Sequence, residues 1–289
     1  NRITRLHRQG EGWSVAPVDL NRHVTEAAMP APAAQRDKSL SQPLQMLFDE
    51  KSGEAFVAAF GSRKVAVLSR HGAVVDRIDV GFGPSGLAYD ESRRRLYVLN
   101  HLESSISVVD LGARRSVAKV ALRHYPTPPL TPNGRPLLYA ATIPSGQGTL
   151  ACASCHVFAD FDGLAWDLGD PGGELVKIPE SLKHEVFVPQ QEFHPLKGPM
   201  MTQSLRGLAG SGPLHWRGDR FGREAARPGE DIASFTDFDV AFVGLMGLDV
   251  APTKAAMTAF ARFVQTIRYP PNPNEPPDRG LNSAQQAGF

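Results

Sequence analysis

The chain has 289 residues, with 31 Lys and Arg against 30 Asp and Glu, nine His and a net charge of +1. That balance excludes the basic footprint of a nucleic-acid binder, and 42% hydrophobic with 21% charged residues excludes intrinsic disorder. The length predicts one large or two ordinary domains, and no apolar run approaches the roughly 20 residues needed to span a bilayer.

Gly 27 and Pro 24 exceed their usual share, which favours turns and short elements over long helices. The chain opens Asn1-Arg2-Ile3, with neither Met nor a signal-peptide pattern. Residues 283–289 (SAQQAGF) read as the first turn of a helix. A fragment of a longer protein is expected from these two ends. Residues 10–40, Ala/Pro-rich around Met29-Pro30-Ala31-Pro32-Ala33-Ala34, read as an insertion or long loop.

An internal repeat follows. Residues 43–49 (PLQMLFD) align with 84–90 (PSGLAYD), and Phe56-Val57-Ala58-Ala59 aligns with Tyr97-Val98-Leu99-Asn100. Val67-Leu68-Ser69 aligns with Val108-Val109-Asp110, and 74–80 with 115–121, each at an offset of 41. Short alternating apolar runs, about four per unit and separated by turn residues, are the pattern of a β-propeller blade. Over about residues 40–145 the repeat resembles the YVTN-type propellers, through Tyr97-Val98-Leu99-Asn100 and Ile106-Ser107-Val108-Val109-Asp110. About three blades fit before residue 150, whereas a closed propeller takes roughly four to eight. The missing blades are expected N-terminal to Asn1 or, as the second choice, after Phe289.

From Gly148 the texture changes to Gly/Pro loops, an Asp-rich segment and two helix-like stretches. Residues 236–248 form a short apolar stretch. Residues 253–267 (TKAAMTAFARFVQTI) predict a helix with Ala256, Phe260, Phe263, Val264 and Ile267 on one face. Tyr269-Pro270-Pro271-Asn272-Pro273 stops it.

Both cysteines lie in Cys152-Ala153-Ser154-Cys155-His156, a C-x-x-C-H motif of the kind that attaches c-type haem. Two thiols one helical turn apart can add to the two vinyl groups of a haem, and the adjacent imidazole can then reach the iron. A redox dithiol would need a βαβ context that the pattern lacks. A structural zinc site would need four ligands where this cluster offers three. Met200, Met201, His184, His194 and His215 are candidates for a sixth ligand, and the two methionines also suit a core.

Residues 150–289 resemble the cytochrome c domains fused to YVTN-type propellers and related to di-haem cytochrome c peroxidases. The resemblance rests on 152–156, 160–169 (DFDGLAWDLG), 194–208 (HPLKGPMMTQSLRGL), 214–219 (LHWRGD), 238–247 (FDVAFVGLMG) and 269–273 (YPPNP). It implies Met200 as axial ligand, with Met201 standing where a Thr is usual. It also implies a second haem domain beginning after Phe289. Arg206, Trp216 and Arg217 suit haem propionates, or equally an ion pair with Asp219 and a packed indole. Asp160, Asp162 and Asp167 lack the spacing of a calcium loop and suit turns. His194 reads as a loop residue.

The expected architecture is therefore multidomain, β then α. Residues 1–147 form a partial β-propeller, residues 148–276 a mostly α-helical c-type cytochrome domain, and residues 277–289 the start of a second cytochrome domain. The first functional reading is an electron-transfer protein with one covalent haem c, ligated by His156 and Met200. It would pass electrons to a redox partner protein or to the second haem domain. The second is the electron-storage domain of a di-haem peroxidase-like oxidoreductase, and the third a propeller binding module with a haem domain attached. The resemblance implies a bacterial protein that is periplasmic or otherwise exported.

Overall fold

The computed structural model describes residues 1–24, 29–124, 131–167, 199–211, 214, 231–274 and 280–288. Strands β1 (Arg2–Gln9) and β2 (Gly12–Asp19) form an antiparallel ribbon, from Arg2 opposite Asp19 to Gln9 opposite Gly12. One helical turn, α1 (Ala33–Arg36), follows. The first four-stranded antiparallel sheet holds, in spatial order, β3 (Pro43–Asp49), β4 (Glu54–Ala59), β5 (Lys64–Leu68) and β6 (Val74–Asp79). The second holds β7 (Pro84–Asp90), β8 (Arg95–Asn100), β9 (Ser105–Asp110) and β10 (Arg115–Ala121).

Every strand of the second sheet starts 41 residues after its counterpart in the first. The sequence repeat is therefore a repeat of four-stranded meanders, the arrangement of propeller blades. The turns repeat as well. Left-handed backbone occurs at Gln42 and Gly83, at Gly53 and Arg94, and at Arg63 and Ser104, all pairs 41 residues apart. Glycine occupies one member of two pairs and neither member of the third, so the meander imposes the conformation whichever residue is present.

Strands β4 and β5 are buried on both faces. Phe56, Ala58, Val65 and Val67 pack against Leu87, Leu96, Val98 and Val109 of the second sheet. Their alternates Ala55, Val57, Ala59, Ala66 and Leu68 pack with Leu20 and Leu40, flanked by Ile3 of the ribbon. Among the described residues only one face of the second sheet is covered. The counterparts of Phe56, Ala58, Val65 and Val67 are Tyr97, Leu99, Ile106 and Val108; Tyr97 is 36% exposed, Phe56 only 1%, and the other three are half-buried.

Two expectations need correction here. Where about three blades were expected, the described residues form two complete meanders and a two-stranded ribbon. The 10–40 segment is not all loop: β2 pairs along its length with β1 and α1 follows it. Val18 of β2 is buried, while Trp13 and Val15 stand exposed on the ribbon.

Beyond β2 the chain forms a strap over the first sheet. Asn21 clamps Leu40 from both sides, its Nδ2 donating to the Leu40 carbonyl (2.8 Å) and its Oδ1 accepting from the Leu40 N–H (2.7 Å). Arg77 of β6 donates from Nε to the Lys38 carbonyl at 2.6 Å. The strap also reaches the loop ahead of the cysteines: Ala31 N–H bonds the Gly146 carbonyl and Ser39 Oγ the Gln147 carbonyl, both at 2.7 Å.

The second half builds a helical core from α2 (Thr131–Tyr139), α3 (Asp231–Thr236), α4 (Val240–Gly244) and α5 (Lys254–Val264). The Thr253 hydroxyl caps α5 by accepting from the Ala256 N–H. Phe260, Phe263 and Val264 are buried as the periodicity predicts, and Met257 and Ala261 join them. Phe235 and Phe242 meet Phe260 edge-on. The 236–248 stretch divides into a 3-10 turn (Asp237–Asp239) and α4.

Helix α2 lies before residue 148 yet contributes Leu137 and Leu138 to this core. Its Gly134 sits where a Cβ would strike the Ala259 carbonyl and come within 2.6 Å of Phe263 Cβ, so only glycine permits the crossing with α5. Tyr139 ends the helix with its ring edge-on to Phe60 of the sheets and Phe263 of the helices. The helix α6 (Ser283–Gly288) agrees with the helical turn expected there. Among the described residues no helix is long and apolar enough to cross a membrane.

The two sheets yield a paired test. Phe56→Ala is expected to cost about 3–5 kcal/mol of stability. Tyr97→Ala, at the equivalent but uncovered position, should cost much less. Urea denaturation of both variants measures the difference, and equal losses would contradict the one-sided burial of the second sheet.

The strap predicts a pH dependence. The His23 Nε2–H faces the Gln35 carbonyl at 3.0 Å, and Nδ1 faces Arg77 Nη2 at 3.5 Å. Burial, helped by the charges of Arg77 and Lys38, lowers the His23 pKa from 6.5, although the Gln35 carbonyl and Asp19 oppose it. Burial lowers His101 as well. The unfolded chain therefore takes up protons first as the pH falls. Stability is full above 6.5 and is lost as the pH drops through that value toward the folded pKa values. The urea midpoint should be lower at about pH 5.5 than at about pH 7.5, by less in His23→Gln.

Candidate haem-attachment site

The five residues of the C-x-x-C-H motif form one helical turn. A 3-10 turn spans Cys152–Ser154, and both the Cys155 and the His156 N–H donate to the Cys152 carbonyl, at 3.3 and 3.0 Å. The Ser154 hydroxyl closes the turn by accepting from the Ala151 N–H at 3.0 Å. Ala153 is buried in the helical core and Cys152 packs against it, which anchors the motif to α2 and α5. Neither cysteine is in a disulfide. Among the described residues no three His, Cys, Asp or Glu side chains gather as a metal-binding group.

After His156 the chain reverses through a second 3-10 turn, Val157–Ala159, in which Phe158 and Ala159 both have left-handed backbone (φ 53° and 60°). Each such non-glycine residue costs about 1–2 kcal/mol, so the surroundings must hold the reversal. They do so from the segment after residue 201. The Leu205 N–H bonds the Ala159 carbonyl at 3.0 Å. Arg206 pairs with Asp160 at 2.9 Å and donates to the Phe158 carbonyl at 3.4 Å. Arg206 thus has an ion pair with Asp160, while Asp219, weighed from the sequence as a partner, lies outside the described residues.

Strands β11 (Ala165–Asp167) and β12 (Pro199–Met201) pair so that Trp166 stands opposite Met200 and Ala165 opposite Met201. Adjacent strand residues point to opposite faces. Met200 is half-buried, whereas Met201 is 56% exposed. Just beyond β12, the Gln203 carbonyl accepts a hydrogen bond from His156 Nδ1 at 2.7 Å. That bond assigns the proton to Nδ1 and leaves the Nε2 lone pair available. The Asp162 carboxylate accepts from the Leu164 N–H (3.0 Å) and the Trp166 indole N–H (2.8 Å), consistent with a turn-forming Asp.

The electrostatics follow from burial. Enclosure against the helical core pushes the Cys152 thiol up to about 12. Burial raises Cys155 too, aided by the negative charge of Asp162. Burial holds the His156 imidazole below its ordinary value, although the Gln203 and Asp160 backbone and the Asp162 charge favour the protonated ring. Partial burial works against ionisation of Asp162, but the bonds from Leu164, Trp166 and Thr202 outweigh it and lower its pKa. Phe158 (71%), Phe161 and Leu164, which follow the motif in the chain, stand exposed, as does Met201 on β12.

Cys152, Cys155 and His156 thus share one turn, Arg206 braces the reversal that follows it, and Met200 lies on β12, three residues before Gln203. Trp216, Arg217, His184, His194, His215 and the Asp167 side chain fall outside the described residues. The Gln203 carbonyl is the functional group that sequence reasoning did not find, and a backbone carbonyl leaves no side-chain signature. The Asp160–Arg206 pair was within reach, as two opposite charges each beside a singled-out motif.

Thiol labelling tests the burial. In the haem-free protein at about pH 8, iodoacetamide should modify Cys155 well ahead of Cys152, and in urea both equally. Peptide mass spectrometry separates the sites. Equal native rates would mean that Cys152 is not enclosed.

No family model matches the chain, and no curated protein does. Solved structures similar to it include the hydrazine synthase of Kuenenia stuttgartiensis, 20% identical over 36% of this chain and 26% of that one, with a TM-score of 0.26. The β-propeller domain of Cps50 (Swd1) from Myceliophteria thermophila is 13% identical over 29% of this chain and 25% of that one. AztD from Citrobacter koseri is 16% identical over the same two shares, and both score 0.26. The chain spans about a quarter of the length of each, and likeness at this level says nothing about what the chain does.

Proposed function

We propose that this chain is part of an exported electron-transfer protein, and that it carries one covalently attached haem c with His156 and Met200 as axial ligands. The observation that carries the reading is the single turn that groups two free thiols with an imidazole, whose Nδ1–H is held by the Gln203 carbonyl. The residues fit the group. Two thiols three residues apart on one turn suit two thioether bonds, and the exposed Phe158, Phe161 and Leu164 that follow them suit a flat hydrophobic macrocycle.

When bound, haem supplies one-electron chemistry between ferric and ferrous iron. The chain's own residues do the rest. Cys152 and Cys155 would hold the macrocycle through their sulfurs. The Gln203 carbonyl fixes the tautomer and direction of the His156 ring and raises its basicity as a ligand. Burial disfavours the protonated ring, which suits a lone pair that is to bind metal. Met200 is favoured over Met201 because it is half-buried opposite Trp166, while Met201 faces away on the other side of β12. A thioether ligand raises the reduction potential, as suits a relay. Arg206, already paired with Asp160, acts first as the brace of the reversal after His156. A propionate contact from Trp216 or Arg217 remains part of the proposal.

Optical spectra of protein matured with the c-type haem machinery test this. The reduced form should show a sharp α band, and the oxidised form the weak far-red band of a sulfur–iron bond, abolished in Met200→Ala. High-spin spectra unaffected by Met200→Ala would overturn the His/Met relay and favour the peroxidase-like reading.

A further inference from the structure

We propose that Asp160 and Arg206 are a pair of positioning residues: by bracing the chain reversal after His156, they hold the Gln203 carbonyl against the imidazole. The consequence for the iron rests on the haem reading above. A series of bonds joins residues 156–160 to residues 203–206. At one end the His156 Nδ1–H donates to the Gln203 carbonyl at 2.7 Å. Between the ends the Leu205 N–H donates to the Ala159 carbonyl at 3.0 Å. At the other end the Arg206 guanidinium divides. Its Nη1 pairs with the Asp160 carboxylate at 2.9 Å, and its Nη2 donates to the Phe158 carbonyl at 3.4 Å.

The Leu205 bond alone is a hinge about which residues 203–206 can turn. A second attachment one residue further on removes that freedom, and so fixes where the Gln203 carbonyl points. The Ser204 hydroxyl stiffens the link by accepting from the Arg206 N–H at 3.2 Å. On the facing side the Ala159 N–H bonds the His156 carbonyl and the Asp160 N–H the Val157 carbonyl, both at 2.9 Å. Asp160 and the imidazole therefore share one folded turn, whose left-handed Phe158 and Ala159 persist only if restrained. Both charged side chains are 27% exposed, so solvent screens them less than a surface pair. The guanidinium is committed to the chain on both sides, which separates Arg206 from the propionate role that its type suits. A carbonyl held on Nδ1–H makes the imidazole a more basic ligand, and this favours ferric over ferrous iron.

The test has two arms. In the haem-free protein, NMR of isotope-labelled histidine follows solvent exchange of the His156 Nδ1–H in wild type, Asp160→Ala and Arg206→Ala. The backbone amides of α5 report on the fold. Each variant should speed the ring exchange by on the order of tenfold, the worth of about one hydrogen bond, while α5 keeps its protection. Exchange at the wild-type rate in either variant overturns the proposal. So does an equal loss of protection in α5, which would make the pair a tie of the whole fold. In the second arm, haem-loaded wild type and the double variant Asp160→Ala/Arg206→Ala are titrated with dithionite, which supplies the one electron that takes Fe(III) to Fe(II). The double variant loses one charge of each sign, so the charge effects oppose each other and the loss of orientation should raise its midpoint. Loss of an Arg206–propionate contact would lower it, because a cation beside the haem favours the ferrous state. A midpoint at or below that of wild type overturns the proposal. A wild-type chain that takes up no haem removes the haem reading, while the first arm still decides whether the pair positions the ring.

Discussion

Strands β4 and β5 have no polar face, and this constraint organises the molecule. A strand that alternates between two apolar faces is stable only with a layer on each side. The second meander covers Phe56, Ala58, Val65 and Val67. Leu20, Leu40 and Ile3 cover Ala55, Val57, Ala59, Ala66 and Leu68. The second requirement explains why the chain between β2 and β3 forms a strap and not further strands: its task is to bring Leu20 and Leu40 onto the sheet, with Asn21 satisfying the buried backbone of Leu40.

The same strap links the sheets to the chemistry. Its carbonyls, N–H groups and Ser39 meet the loop around Gly146 and Gln147, five or so residues before Cys152. Gly146 in turn bonds Met246 at the end of α4. On the other side, Tyr139 meets both Phe60 and Phe263 edge-on, and the Ala141 N–H bonds the Gly61 carbonyl at 2.8 Å. The motif is thus fixed from below by the helical core and from upstream by the sheet layer. A rigid support of this kind would suit the proposed haem site, because a site that shifts little between oxidation states has little to reorganise.

Within the site, local and distant contacts divide the work. The turn itself is local, closed by Ser154 and the Cys152 carbonyl. The left-handed pair Phe158 and Ala159 stores strain that Leu205 and Arg206 restrain from more than 40 residues away. The orientation of His156 likewise depends on a carbonyl 47 residues further along the chain. Neighbouring acids diverge for the same reason: Asp160 meets a guanidinium and Asp162 an indole, according to which segment returns beside each.

By itself the sequence determined the features with local causes. These are the 41-residue repeat of short strands, the C-x-x-C-H turn with its grouped thiols and imidazole, and α5 with its Thr253 cap and apolar face. Alternation, thiol spacing and helical periodicity are all written within a few residues. Tertiary structure alone decided that α2 joins the helical core through Gly134, and that Tyr97 is exposed where Phe56 is buried. It alone decided that Met200 and Met201 part to opposite faces of a two-stranded pair, and that the Gln203 carbonyl lies behind His156. Each depends on which distant segment packs alongside, and a backbone carbonyl or an uncovered sheet face looks the same in the sequence wherever it falls.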